Sequence, residues 1–247
     1  MKCLRTLPAV LVMLFASASA FAQEAGQQVS QQVEVAAQLP LQFLLYLPEN
    51  YDQQEQWPLL LFLHGMGERG SDLKLVKVHG PPKLIAAGKH FPMIVVSPQC
   101  PDWRRWEMSD LDTLLRYIES KYKVDSDRVY VSGLSMGGYG TWQLATNYPN
   151  RFAAIVPICG AGEAKAASRI AHIPTWVFHG GDDTAVPVRG STEMIKALQK
   201  AGGNPKFTFY PLAGHDSWTE AYNTPELYEW LLAQKRQPRN DTARGRF

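Results

Sequence analysis

Beyond about residue 40 the chain alternates short, continuous apolar runs with longer stretches in which apolar residues recur every three or four positions. Leu59 to Leu63, Met93 to Ser97, Val129 to Ser132, Ala154 to Ile158 and Thr175 to Phe178 are runs of this first kind, and Lys206 to Tyr210 follows as a more polar one. Runs this short and apolar on both faces predict strands of a parallel sheet covered on both sides. The intervening stretches predict helices near Lys83 to Ala87, from Ser109 to about Tyr122, and from the Gly133 to Gly137 segment as far as Asn147. Further helices are predicted near Ala164 to Ile170, from Thr192 to Ala201, and from Pro225 to Ala233. Ser109 with Asp112 reads as a capping box, Pro149 halts the third helix, and Gly202-Gly203 stops the fifth. Ahead of this alternation, Val33 to Ala37 and Phe43 to Leu47 read as two antiparallel strands joined near Pro40, preceded by a polar, Gln-rich lead from Gln23 to Gln32. Strand and helix in alternation predict an α/β fold: a mostly parallel sheet with helices on both faces.

The two ends of the chain differ from its middle. Lys2 and Arg5 precede an apolar run from Leu7 to Phe15 and the small-residue triplet Ala20-Phe21-Ala22, which reads as a signal peptide over residues 1–22. The apolar run falls short of the roughly 20 residues a membrane span needs, so the expectation is export, secreted or periplasmic, with no membrane attachment after cleavage. Residues 23–233 then form one domain, and 234–247 a basic, disordered tail. The full chain carries a formal charge of +2; removing residues 1–22 takes away two bases and no acid, leaving the remainder neutral. That balance argues against a nucleic-acid partner. Cys100 and Cys159 both follow predicted strands, and export permits a disulfide between them, which spacing alone leaves open.

Gly133-Leu134-Ser135-Met136-Gly137 lies where a strand ends and a helix begins, with a serine at the apex. This is the context of a nucleophile elbow, in which the two glycines leave room for close backbone approach around a strained serine. Downstream, strand Thr175 to Phe178 runs into His179-Gly-Gly-Asp182-Asp183, and strand Lys206 to Tyr210 runs towards Gly214-His215. Nucleophile, acid and histidine therefore appear in the order Ser135, Asp182 or Asp183, His215, the chain order of an α/β-hydrolase. His215 is the expected general base. The Met136 N–H, at a helix N-terminus directly after the serine, is an expected oxyanion donor.

His64-Gly-Met-Gly-Glu-Arg-Gly70, Ser97-Pro-Gln-Cys-Pro101, Gly133 to Gly138, Pro157-Ile-Cys-Gly160, His179 to Asp183 and Gly214-His-Asp-Ser-Trp218 together carry a resemblance. The chain resembles the secreted, capless α/β-hydrolases labelled predicted peptidases or phospholipase/carboxylesterase-like esterases, relatives of bacterial feruloyl and other carbohydrate esterases. The resemblance spans about Leu41 to Leu232 and implies an α/β-hydrolase fold with no large cap domain. It assigns the acid to Asp183, through His179 to Pro187, and makes Asp182 a turn residue. It assigns the second oxyanion donor to Met66, with Gly65 as the alternative, and leaves His64 a structural role. Asp216 is expected to cap its loop.

The reaction implied is hydrolysis of a carboxylic ester through a Ser-His-Asp triad and an acyl-enzyme. Feruloyl, acetyl or similar esters of polysaccharides or small molecules are the expected substrates. The same triad serves a serine peptidase of the prolyl-oligopeptidase type, and a non-catalytic binding module on the same fold is a further alternative. Only about fifteen residues separate Ile158 from Thr175, too few for a lid domain, so an open site is expected. Trp106 and Trp218, with Trp103, are candidates for a wall against an aromatic or sugar group. His79, His90, His172 and His179 stand in no metal-binding spacing, and no phosphate-binding loop is present, so neither metal nor other cofactor is expected.

Overall fold

The computed structural model describes residues 25–34 and 40–236. The signal segment expected over residues 1–22 and the tail from 237 onward lie outside the described residues, as do residues 35–39.

Eight strands form one sheet: β1 (Gln28–Glu34), β2 (Pro40–Tyr46), β3 (Trp57–Leu63), β4 (Ile94–Pro98), β5 (Val124–Leu134), β6 (Ala154–Ile158), β7 (Trp176–Gly180) and β8 (Lys206–Tyr210). Their order is β1-β2-β4-β3-β5-β6-β7-β8. β1 and β2 pair antiparallel, β2 lies antiparallel to β4, and every later pairing is parallel. Among the described residues six α-helices accompany the sheet: α1 (Gly80–Ala86), α2 (Met108–Lys121), α3 (Met136–Asn147), α4 (Arg189–Lys200), α5 (Trp218–Asn223) and α6 (Pro225–Leu232).

β3 is buried at every position, and its neighbouring side chains feed two different cores. Leu59, Leu61 and Leu63 join Leu111, Leu114 and Ile118 of α2, Trp142 and Leu144 of α3, and Met194 and Leu198 of α4. Leu60 and Phe62 join Ile85 of α1, Tyr222 of α5, and Leu227 and Leu231 of α6. Alternate residues of a strand point to opposite faces, so a run apolar at every position requires a helical layer on each side. The expected α/β-hydrolase fold is what the chain adopts. Between β6 and β7 only a 3-10 segment, Ala164–Arg169, intervenes, so no large cap stands over the sheet there.

Four expectations need correction. The Gln-rich lead is not a coil throughout: Gln28 to Glu34 form an edge strand whose Val29, Gln31 and Val33 are partly buried while Ser30, Gln32 and Glu34 are exposed. Glutamine at an inward position masked that alternation. The capping box does not form, because α2 begins at Met108 behind Glu107. Ser109 therefore lies inside the first turn, and the Asp112 carboxylate turns to Arg116 and Arg151. Residues Ala164 to Arg169 are 3-10 rather than α-helical, and α5 was not anticipated. The tail is partly placed: Tyr130 donates to the Gln234 carbonyl at 3.0 Å, and Arg236 pairs with Asp127 at 2.7 Å.

Candidate active site

β5 passes into α3 through one residue, Ser135, held at φ 51°, ψ −115°. A non-glycine residue in that region costs on the order of 1–3 kcal/mol and persists only where its surroundings impose it. Here they do. A Cβ on Gly133 would collide with the Gly137 carbonyl, and one on Gly137 with the Leu63 carbonyl. The elbow is thus wedged between β3 and α3, with Ser135 turned out at the carboxyl edge of the sheet.

Ser135 Oγ lies 2.9 Å from His215 Nε2, and His215 Nδ1 lies 2.8 Å from Asp183 Oδ2. A carboxylate accepts, so Nδ1 carries the proton and donates to it; Nε2 then presents its lone pair to the serine hydroxyl. Asp183 is fixed from its other oxygen by the N–H groups of Ala185 and Val186, at 2.9 and 2.8 Å, and its side chain is fully buried. Three residues predicted far apart in sequence are therefore brought together in a single hydrogen-bonded line. Asp182 is exposed in the turn and makes no such contact, its N–H donating to the Ala213 carbonyl. Asp216 caps its loop as expected, accepting from the Thr219 N–H at 3.0 Å.

His179, fully buried, braces the acid loop. Its Nε2 donates to the Val186 carbonyl at 2.8 Å and lies 3.3 Å from Asp183 Oδ2, while Nδ1 meets Ser191 Oγ at 2.8 Å. The signal for it in the sequence is its place at the end of a buried strand, four residues before Asp183.

Met136 opens α3, so its N–H has no partner inside the helix and sits at the positive end of the dipole. Met66 opens the 3-10 turn Met66–Glu68 after β3. Gly65, the alternative donor, is taken: its N–H donates to Glu68 Oε2 at 2.8 Å. His64 is fully buried and structural. The Cys100 N–H donates to its Nε2 at 3.0 Å, so Nδ1–H donates to the Gly65 carbonyl at 2.6 Å, and burial pushes its pKa down to about 4.

The tryptophans divide. Trp106 is only 6 % exposed, packs on the His64 ring at 4.8 Å and donates to the His64 carbonyl at 3.2 Å, so it buttresses β3 rather than offering a wall. Its remaining surface borders a groove beside α3 with Tyr139, Tyr148 and Glu163. Trp218 is half-buried and meets His215 edge to face, ring centroids 5.1 Å apart. Trp103 is 73 % exposed.

Cys100 and Cys159 are both free and buried, so the disulfide that export would permit is absent. Cys159 lies close to Asp183 and His215. One donor atom each from Cys159, Asp183 and His215 falls within 4.8 Å of the others, the group among the described residues that could hold a metal. Both nitrogens of His215 and both oxygens of Asp183 are already engaged, and burial pushes the Cys159 thiol up to about 12.

Residues 36–164 match the Esterase family model, and residues 104–228 match the dienelactone hydrolase family model, each about half of the chain. The chain belongs to the Esterase and dienelactone hydrolase families. Among relatives of this α/β-hydrolase, a protein of Arthroderma benhamiae described as an uncharacterized secreted protein is 26 % identical over 72 % of this chain and 23 % of its own length. The bifunctional acetylxylan esterase/xylanase XynS20E of Neocallimastix patriciarum is 27 % identical over 56 % of this chain and 21 % of its own. The chain thus matches only about a fifth to a quarter of these curated relatives. Among solved structures, a thermostable esterase superposes with a TM-score of 0.73 at 32 % identity, covering 85 % of this chain and 63 % of that one. A ferulic acid esterase shares the fold at TM-score 0.64 and 20 % identity. No helix among the described residues of this hydrolase is long and apolar enough to cross a membrane.

Proposed function

We propose that this chain hydrolyses carboxylic esters, with Ser135 as nucleophile, His215 as general base and then acid, and Asp183 as the group that orients and charge-balances the histidine. The observation that carries the reading is the line Ser135 Oγ to His215 Nε2 to Asp183 Oδ2, 2.9 and 2.8 Å, built on a serine at positive φ. As Ser135 Oγ attacks the ester carbon, its proton passes to Nε2, and the imidazolium is stabilised by the buried carboxylate. The carbonyl oxygen gains negative charge, which the N–H groups of Met136 and Met66 receive. Collapse expels the alcohol with the proton from Nε2 and leaves an acyl-Ser135. Water, deprotonated by the same nitrogen, then attacks the acyl carbon, and as the acid departs Nε2 returns that proton to Ser135 Oγ.

The short 3-10 connection between β6 and β7 supports an open site suited to esters borne on bulky alcohols. Membership in an esterase family, a relative named as an acetylxylan esterase and another named as a probable feruloyl esterase support acetyl or feruloyl groups on polysaccharide as the substrate class. Half-buried Trp218 beside His215 supports a wall for the acyl or sugar group. Export to the periplasm or medium is the setting we infer, from the basic, apolar and small-residue order of residues 1–22.

The test is hydrolysis by the purified chain of p-nitrophenyl esters of graded length, methyl ferulate, acetylated xylan and chromogenic dipeptides, with Ser135→Ala in parallel. Serine-dependent release from esters supports the proposal. Release from peptides alone would replace it by the peptidase reading, and no release from any of them by the binding module.

A further inference from the structure

Glu68 is a carboxylate 8 % exposed, five residues beyond the end of the buried strand β3, and no step above uses it. Its two oxygens face different partners. Oε2 accepts the Gly65 N–H at 2.8 Å and lies 4.0 Å from His64 Nδ1, while Oε1 lies 3.7 Å from His79 Nε2. Burying a carboxylate is costly unless hydrogen bonds compensate, so its placement argues for a task.

The turn it serves abuts the nucleophile: a Cβ on Gly65 would lie 3.7 Å from Ser135 Cβ. Two consecutive N–H groups, those of Gly65 and Met66, stand there at the start of a 3-10 turn, where neither has an intrahelical partner. A charge-assisted bond to Glu68 removes the first from competition and fixes the peptide plane that precedes the second. The rest of the turn is strapped independently. Gln99 Nε2 donates to the Glu68 carbonyl at 2.9 Å, and Arg69 Nε donates to the Met66 carbonyl at 3.1 Å.

The second oxygen reaches the opposite side of the site. Trp218 Nε1 donates to His79 Nδ1 at 3.2 Å, and an indole N–H can only donate, so Nδ1 is the bare nitrogen. The proton of His79 is then on Nε2, facing Glu68. Trp218 in turn packs edge to face on His215. One carboxylate therefore touches both the turn that carries the Met66 N–H and the residue that seats the wall beside the base.

We propose that Glu68 is a positioning residue for ester hydrolysis, holding the Gly65-Met66 turn so that the Met66 N–H meets the developing oxyanion. The inference rests on the Ser135 mechanism above and deepens it. Donors to an oxyanion act only when fixed in place before the charge develops, so loosening this turn lowers kcat more than it raises KM.

The experiment compares Glu68→Gln and Glu68→Asp with the parent on p-nitrophenyl acetate, with Ser135→Ala as a control. Glutamine keeps an oxygen acceptor at the same reach and gives up the charge; aspartate keeps the charge but is one methylene too short to reach the Gly65 N–H. The expected result is a kcat for Glu68→Asp about 10- to 100-fold below that of Glu68→Gln at comparable KM. Glu68→Ala, which also lacks the acceptor, replaces the aspartate variant if that one does not fold. A kcat for the short or truncated variant equal to or above that of Glu68→Gln overturns the proposal while leaving the Ser135 mechanism standing. Full activity in Ser135→Ala overturns both.

Discussion

Ser135 and Cys159 directly follow adjacent parallel strands, β5 and β6, and are the two non-glycine residues with positive φ among the described residues, at 51° and 38°. They are joined through the backbone: the Ser135 N–H donates to the carbonyl of Ile158 at 3.0 Å, and the Cys159 N–H donates onward to Phe178 of β7 at 2.9 Å. Positive φ at Ser135 is thus accompanied by positive φ at the neighbouring strand end.

The strain predicts opposite effects on stability and activity. Ser135→Gly relieves the positive φ, so its unfolding free energy should rise by an amount on the order of 1 kcal/mol, while Ser135→Ala keeps the strain and should stay near the parent. Both variants should lose kcat by about 10⁴-fold or more, having no nucleophile. Denaturant melts and ester assays decide this, and equal stability of the two variants would show that the turn is not strained.

Asp183→Asn should reduce kcat by about 10⁴-fold, because an amide facing His215 Nδ1 favours the wrong tautomer. Asp182→Asn, exposed and one residue away, should stay within about threefold of the parent. Comparable losses in the two variants would contradict the assignment of the acid.

His64 makes stability depend on pH. The native imidazole resists protonation down to about 4, against 6.5 for an ordinary histidine, because it is buried. Below 6.5 the unfolded chain binds a proton that the folded chain refuses. Stability at this site is therefore fully present above pH 6.5 and is lost as pH falls towards 4, by about 3 kcal/mol in all. Urea midpoints at pH 7, 6 and 5 should fall accordingly, and the slope should flatten by about one proton in His64→Gln if that variant folds.

The thiols should be silent in the native protein. Burial pushes Cys100 up to about 11 and Cys159 up to about 12, and neither is bonded to the other. A chromogenic disulfide reagent should react with neither until denaturant is added, and dithiothreitol should leave the melting temperature unchanged. A melting temperature lowered by reductant would reveal a disulfide.

Gly137→Ala should fail to fold or lose more than about 3 kcal/mol, since the added methyl meets the Leu63 carbonyl rather than a side chain able to move. Circular dichroism of the purified variant reads the outcome directly.

Much of this protein follows from local pattern alone. Leu59 to Leu63 and Ala154 to Ile158 announce buried parallel strands because every position is apolar, and that requires helices on both faces wherever the chain goes next. Ser135 announces itself for a steric reason that is equally local: glycine at 133 and 137 is needed where backbone meets backbone. Other features depend on atoms far away in sequence. Val29, Gln31 and Val33 become one face of a strand only because β2 supplies the partner, and Ser109 fails as a cap because α2 starts two residues earlier than a cap there would allow, behind Glu107. Asp183 rather than Asp182 faces His215 because His179 and the N–H groups of Ala185 and Val186 turn the loop. Trp106 is drawn inward by the His64 carbonyl, and Cys100 and Cys159 finish at separate strand ends, unbonded. Glu68 gains its partners only when the ends of β3, α1 and α5 converge. Hydrophobic periodicity and backbone sterics are short-range and legible along the chain, whereas the aim of a polar side chain is decided by which distant donors and acceptors folding brings within 3 Å.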